Sequence, residues 1–188
     1  HVLIPRQDTE ILVEEALKRA KSGMKILDMC TGSGCILLSV LSNCPSVMGT
    51  GVDLSEKALE TARKNAADLK IKAEFLHSDL FKQVEGSFDL ILSNPPYIRT
   101  DVIPTLMPEV RDHEPWMALD GKEDGLYFYR KILEQAGAYL IPGGWLCFEI
   151  GYDQGEDLRA LMQRQGLEQI EIVKDLAGLD RVAVGRKK

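Results

Sequence analysis

Asn94-Pro95-Pro96-Tyr97 brings together residue types suited to holding a planar NH2 group. Each proline fixes its own φ near about −65° and biases the residue before it toward extended backbone, so Asn94 and Pro95 are both held extended. Two prolines also remove two N–H donors while keeping the carbonyls. What remains is a rigid rim of acceptors with an amide side chain at one end and an aromatic ring at the other. An amide or aromatic amine placed there donates to Asn94 Oδ1 and the Pro95 carbonyl, while Tyr97 packs over its π face and Pro96 completes the slot. The stretch directly follows the apolar run Phe88–Ser93, so the rim is expected at the carboxyl end of a buried strand.

A second cluster is the turn Cys30-Thr31-Gly32-Ser33-Gly34 after the run Lys25–Met29. In an open α/β sheet such a turn lies where ligands bind, and its glycines let a ligand approach the backbone at a helix N-terminus. The fingerprint Gly-x-Gly-x-x-Gly is not met and no Gly-Lys-Ser/Thr follows, which makes dinucleotides and nucleoside triphosphates poorer fits. Asp53 ends Gly51-Val52-Asp53 about 20 residues past the glycines, where a carboxylate accepts from both ribose hydroxyls. Ser55 supplies the cap of the helix that follows, so Asp53 is not needed for that purpose. Asp79, in Ser78-Asp79-Leu80-Phe81, is placed to accept from an exocyclic adenine amine beside apolar Leu80.

These segments need a common scaffold, and apolar runs alternating with helical patterns describe one: a mostly parallel sheet wrapped by helices. The spacing predicts a helix after Asp8 or Thr9 through Ala20, a strand over 25–29 and a helix carrying Ile36, Leu37, Val40 and Leu41. A strand over 47–52, a helix over 55–69 and strands over 73–76 and 88–93 follow. The connection 99–125 is rich in Pro, Asp and Glu, and its length predicts that it covers the site. A helix over 126–140 stops at Ile141-Pro142-Gly143-Gly144, and a fifth strand covers 145–150. A helix over 154–165 and strands over 168–175 and 181–184 complete seven strands.

The 188 residues, 45% of them hydrophobic, suffice for one well-buried core and are too few for two ordinary domains. With 23 Lys+Arg against 29 Asp+Glu the net charge is −6, which disfavours a nucleic acid partner. Cys30, Cys35, Cys44 and Cys147 form no Cys-x-x-Cys pair and the three histidines are scattered, so a zinc site is not expected and the thiols read as reduced, in a cytoplasmic protein. No apolar run approaches about 18 residues, so no membrane span is expected.

With the glycine turn, the two acids and Asn-Pro-Pro-Tyr in this order, the chain resembles the class I S-adenosylmethionine-dependent methyltransferases, with their Rossmann-like fold of seven strands and helices on both faces. More narrowly it resembles the catalytic domain of the peptide chain release factor N5-glutamine methyltransferases (the PrmC/HemK family). The likeness runs through Leu3-Ile4-Pro5-Arg6, Asp8-Thr9-Glu10, Ala118-Leu119-Asp120-Gly121, Glu123-Asp124-Gly125-Leu126, Glu149-Ile150-Gly151 and Asp175-Leu176-Ala177-Gly178 with Asp180-Arg181. It implies S-adenosyl-L-methionine held by Cys30, Thr31, Gly32, Ser33, Gly34, Asp53, Asp79, Leu80 and Asn94. It further implies a release factor as protein substrate, with Asn94, Pro95, Pro96 and Tyr97 presenting its glutamine. Arg6 and Glu10 are expected to order the cofactor or substrate loop, or to pair with each other. Glu149 reads as structural, and His113 and Trp116 as packing in the cover.

Two positions depart from the family pattern: Gln7 replaces a proline, and Cys30 replaces the first glycine of the turn, adding a Cβ and a thiol near the cofactor's amino-acid end. The chain also begins just past where the family's N-terminal helical domain would join, so a catalytic fragment over 1–188 is expected. The rival readings are a nucleic-acid adenine or guanine N-methyltransferase using the same loop after base flipping, and a non-catalytic cofactor-binding partner subunit.

Overall fold

The computed structural model describes Val2, Arg6 and residues 8–188; Leu3-Ile4-Pro5 and Gln7 lie outside the described residues. The first half comprises α1 (Thr9–Arg19), β1 (Lys25–Met29), α2 (Cys35–Asn43), β2 (Met48–Asp53), α3 (Glu56–Leu69), β3 (Glu74–His77) and β4 (Phe88–Ser93). The second half comprises two single-turn helices, α4 (Pro108–Arg111) and α5 (Trp116–Leu119), then α6 (Tyr127–Tyr139), β5 (Leu140–Glu149), α7 (Gly155–Arg164), β6 (Glu168–Lys174) and β7 (Asp180–Arg186). The strands form one seven-stranded sheet in the order β3-β2-β1-β4-β5-β7-β6, in which β1 to β5 are parallel and β7 runs antiparallel to β5 and β6.

Successive strand residues point to opposite faces, and both faces here are apolar. Leu27, Ile91, Leu146 and Phe148 pack on one side with Tyr129, Ile132 and Leu133 of α6 and Leu158 and Met162 of α7. Ile26, Leu90, Leu92 and Cys147 pack on the other with Leu12 and Ala16 of α1 and Ile36, Leu37 and Val40 of α2. The near-continuous apolar runs of β1 and β4 are therefore those of central strands buried from both sides.

Three local readings change. Strand five begins at Leu140, because Leu140 pairs with Phe88 and the chain then bulges through Pro142-Gly143-Gly144 before pairing resumes at Leu90 with Trp145. Gly143 adopts φ +79° there and its N–H bonds Lys187 O at 2.9 Å, so a segment that reads as a stop is a bulge inside a strand. Asp8 has helical dihedrals and makes no capping bond to α1; its carboxylate lies 3.4 Å from Arg181 Nη2 instead. Strands two, three and seven are displaced or extended by one or two residues, which moves none of the site.

Candidate functional site

The sheet order reverses between β1 and β4, and ligand crevices of open α/β sheets form outside the carboxyl ends of strands at such a switch point. Met29 and Ser93 are register partners, and the Ser93 hydroxyl donates to the Met29 carbonyl at 2.6 Å. The glycine turn and the Asn94 loop therefore leave adjacent, tied strand ends. A pocket opens over them, lined by Cys30, Thr31, Gly32 and Ser33, by Asp53, by Asp79 and Leu80, and by Asn94 and Pro96. Thr9, Pro115, Met117, Ala118 and Phe128 are also among the lining residues. The 99–125 connection thus contributes directly to the wall.

The turn is built by a relay of polar contacts. Asp28 is fully buried and its Oδ2 accepts from Thr31 Oγ1 at 2.5 Å, while Oδ1 has no hydrogen-bond partner. Burial pushes the Asp28 carboxyl up to about 7. Asp53 Oδ2 accepts the Gly32 N–H at 2.9 Å and Oδ1 the Ser55 N–H at 2.8 Å, so the strand-two acid also holds the turn. A carboxylate has about four lone-pair sites, which leaves capacity for two hydroxyls. At Gly32 a Cβ would find no atom within 4 Å, consistent with backbone that faces open space.

Gly34 has different surroundings. It does not line the pocket; at φ +77° a Cβ would press on Ala62, Leu38 and Phe75 at 3.2 to 3.4 Å, so this glycine serves the packing of α2 and α3. Cys30 has φ +60°, the left-handed region that glycine occupies at no cost. Its half-buried side chain packs against the core beside the pocket, and burial followed by the Asp53 charge pushes the thiol pKa up. Beyond β3, Ser78 Oγ donates to Leu80 O at 2.8 Å and accepts from Gln83 N at 2.9 Å, which holds Leu80 at φ +49° against the pocket. Exposed Asp79 pairs with Lys82 at 2.7 Å, so an adenine amine would compete with that lysine for the carboxylate.

Asn94 and Pro96 stand on the pocket wall; Pro95 and Tyr97 do not. Tyr97 packs against the core, and its hydroxyl lies 3.4 Å from Oε1 of buried Glu149. Burial and the Glu149 charge push the phenol pKa up, and burial likewise raises that of Glu149, opposed by the Thr9 hydroxyl and the Arg181 charge. The ring is therefore anchored from below. The loop's backbone is enclosed by two glycines: a Cβ on Gly121 would lie 2.7 Å from Tyr97 Cα, and one on Gly125 would lie 2.5 Å from Tyr97 O. Ile98 bridges Asp120 in parallel fashion here: its N–H donates to Leu119 O at 3.0 Å and its carbonyl accepts the Gly121 N–H at 2.7 Å. The Ala118–Gly121 and Glu123–Leu126 motifs form a backbone cradle for the acceptor loop.

Asp120 organises that cradle. Its carboxylate accepts from Thr100 Oγ1 at 2.6 Å, Lys122 N at 3.0 Å, Lys122 Nζ at 2.8 Å and Trp116 Nε1 at 3.3 Å. Although burial opposes it, these bonds and the Lys122 charge hold its carboxyl down at about 2. Half-exposed Trp116 is thus a cover residue, and His113 is exposed. Arg6 does not pair with Glu10; its Nη2 is 3.3 Å from Glu114, a surface contact. Sequence reading missed Gln154, Asp28, Thr9 and Phe128 as site residues. Only Asp28, an acid ending an apolar strand before a glycine turn, carried a readable signal.

The donor set fits S-adenosylmethionine: an acid for the ribose, open glycine backbone, and the apolar Leu80 side chain beside an exposed acid. Among the described residues there is no cluster of His, Cys, Asp and Glu able to hold a metal, and no helix long and apolar enough to cross a membrane.

The Methyltransferase small domain family matches residues 7–107. A release factor glutamine methyltransferase of Agrobacterium fabrum is 47% identical over 98% of this chain and 67% of its own length. One from Thermodesulfovibrio yellowstonii is 47% identical over 99% of this chain and 69% of its own. The crystal structure of the release factor-specific protein-(glutamine-N5) methyltransferase of Alicyclobacillus acidocaldarius superimposes with a TM-score of 0.59 at 31% identity, covering 98% of this chain and 94% of that one. The chain spans about two thirds of the length of the two sequence relatives. By these likenesses and by its switch-point site, this chain belongs to the release factor glutamine methyltransferase family.

Proposed function

We propose that this chain, as a catalytic unit over residues 1–188, transfers a methyl group from S-adenosylmethionine to the N5 amide nitrogen of a glutamine in a peptide chain release factor, in the cytoplasm. The observation that carries this is the placing of Asn94 on the wall of the pocket that the glycine turn and Asp53 line. When bound, S-adenosylmethionine supplies an electrophilic methyl on a sulfonium.

A glutamine amide is a poor nucleophile, because its nitrogen lone pair is delocalised into the carbonyl. Asn94 Oδ1 and the Pro95 carbonyl accept its two N–H bonds, which orients the nitrogen toward the pocket and polarises both bonds toward the acceptors. No general base of matched pKa is needed beforehand, since the proton becomes acidic only as the nitrogen gains its new bond. Pro96 and the 115–118 segment narrow the entrance and limit water. Asp53 orients the ribose through the oxygen capacity left after its bonds to Gly32 and Ser55.

The test is methylation of a release factor glutamine, read by mass spectrometry of the modified peptide. Asn94→Ala leaves the amide donor unpaired in a water-poor slot, so kcat/KM is expected to fall by about 30- to 1000-fold, or about 2–4 kcal/mol, with little change in melting temperature. Activity within a few-fold of wild type, or preferential transfer to DNA adenine, overturns the assignment.

A further inference from the structure

Gln154 ends the β5–α7 connection at the N-cap position of α7, is 7% exposed, and makes no capping bond. Its side-chain amide is used elsewhere. Oε1 accepts the Gly151 N–H at 2.9 Å, and Nε2 donates to the carbonyls of Tyr97 at 3.1 Å and Gly125 at 3.3 Å. The Tyr129 hydroxyl lies 3.4 Å from Oε1 but sends its proton to the Glu149 carbonyl at 2.8 Å. The partners fix the orientation of this amide. A flipped side chain would set its oxygen against two carbonyl oxygens and its NH2 against an N–H.

The loop it holds is short of other tethers. Pro95 and Pro96 have no N–H, so backbone donation from the acceptor segment resumes only at Tyr97 and Ile98. The Tyr97 carbonyl lies close to Gly125, where an added Cβ would come within 2.5 Å of it. Gln154 alone donates to it among the side-chain bonds of the described residues. One side chain from α7 thereby joins three segments: the acceptor loop, the 121–125 turn and the end of β5.

We propose that Gln154 is a positioning residue for methyl transfer: by holding the Tyr97 carbonyl it sets the direction in which Asn94 and Pro95 present their acceptors. This rests on the amide-acceptor reading above. The residue touches neither the pocket nor the reacting atoms, so its effect should fall on turnover and leave cofactor binding alone.

Gln154→Glu keeps the shape and the acceptor for Gly151 but removes both donors to the carbonyls. The expected result is a kcat lower by about 10- to 100-fold, with unchanged affinity for S-adenosylmethionine by calorimetry. As pH falls, the introduced carboxyl, its pKa raised by burial and by the facing carbonyls, regains a proton and one O–H donor. The ratio of the variant's rate to the wild-type rate should therefore rise toward low pH, while Gln154→Ala shows no such recovery. The titratable groups nearby are Tyr97, Tyr129, Glu149, Asp153 and Asp180, and the wild-type profile taken in parallel removes their contribution. A kcat near wild type in both folded variants, or a loss in Gln154→Glu without recovery, overturns the proposal. Collapse of both folds makes Gln154 a purely structural residue and overturns it equally. Asn94→Ala assayed alongside separates the two ideas: if it is inactive while the Gln154 variants turn over normally, only the positioning role fails. If Asn94→Ala is itself fully active, the amide-acceptor reading fails.

Discussion

Cys30 carries a side chain at φ +60°, where an L residue pays roughly 1–2 kcal/mol in steric strain. The strain is tolerated because the thiol packs against the core where it meets the pocket, and burial there raises its pKa. Asp53 is the residue whose removal should be felt most by the cofactor. If Asp53 holds the ribose as proposed, Asp53→Ala forfeits those bonds, each worth about 1.5–3 kcal/mol when charge-assisted, and it frees the Gly32 and Ser55 N–H groups as well. Affinity for S-adenosylmethionine is expected to weaken by at least about tenfold by calorimetry. Unchanged binding would remove Asp53 from the ribose site. The carboxylate has oxygens enough for its bonds to Gly32 and Ser55 and for the ribose.

Among the elements, the 99–125 connection is the one whose order the site needs. Asp120 gathers Thr100, Trp116 and Lys122 into it, and the glycines at 121 and 125 let it close over Tyr97. Gly125→Ala adds a Cβ at φ +75° that would overlap the Tyr97 carbonyl and Gln154 Nε2. The expected cost is at least about 2 kcal/mol in urea unfolding at unchanged m-value, together with slower methyl transfer from a displaced loop. Wild-type stability and rate in this variant would mean that the turn can move away freely.

For the whole molecule, the buried acids set how stability varies with pH. The Asp28 carboxyl lies at about 7 in the folded protein because burial disfavours its charge. In the unfolded chain it titrates near about 3.9, so between these values the folded state binds more protons and stability falls as pH rises. Glu149, raised by burial, acts in the same sense, whereas Asp120, held down at about 2, contributes stability that is lost only as pH falls below about 4. Asp28→Asn keeps an acceptor for Thr31 and carries no ionisable group. Its melting temperature should decline less than that of wild type from pH of about 5 to about 8, the difference corresponding to at most about 3 kcal/mol. Parallel curves for the two proteins would show that Asp28 ionises without penalty.

What the sequence determined by itself was whatever depends on neighbours along the chain. Apolar runs of strand length, the helical spacing of Ile36, Leu37, Val40 and Leu41 and the Ser55 cap are local properties, and the structure carries them as read. The adjacency of glycine turn and acceptor loop came only with the strand order, which sets β4 beside β1. The tertiary structure alone decided the partners: Gln154 for the Tyr97 carbonyl, Thr31 for Asp28, Arg181 for Asp8 and Glu114 for Arg6. It also turned Pro142-Gly143-Gly144 from a stop into a bulge and set Gly34 against Ala62, Leu38 and Phe75. A turn glycine looks the same in sequence whether a ligand, a helix or a neighbouring carbonyl occupies the space its missing Cβ leaves. Which of these approaches is set by contacts between segments far apart in the chain, and only the folded sheet brings those segments together.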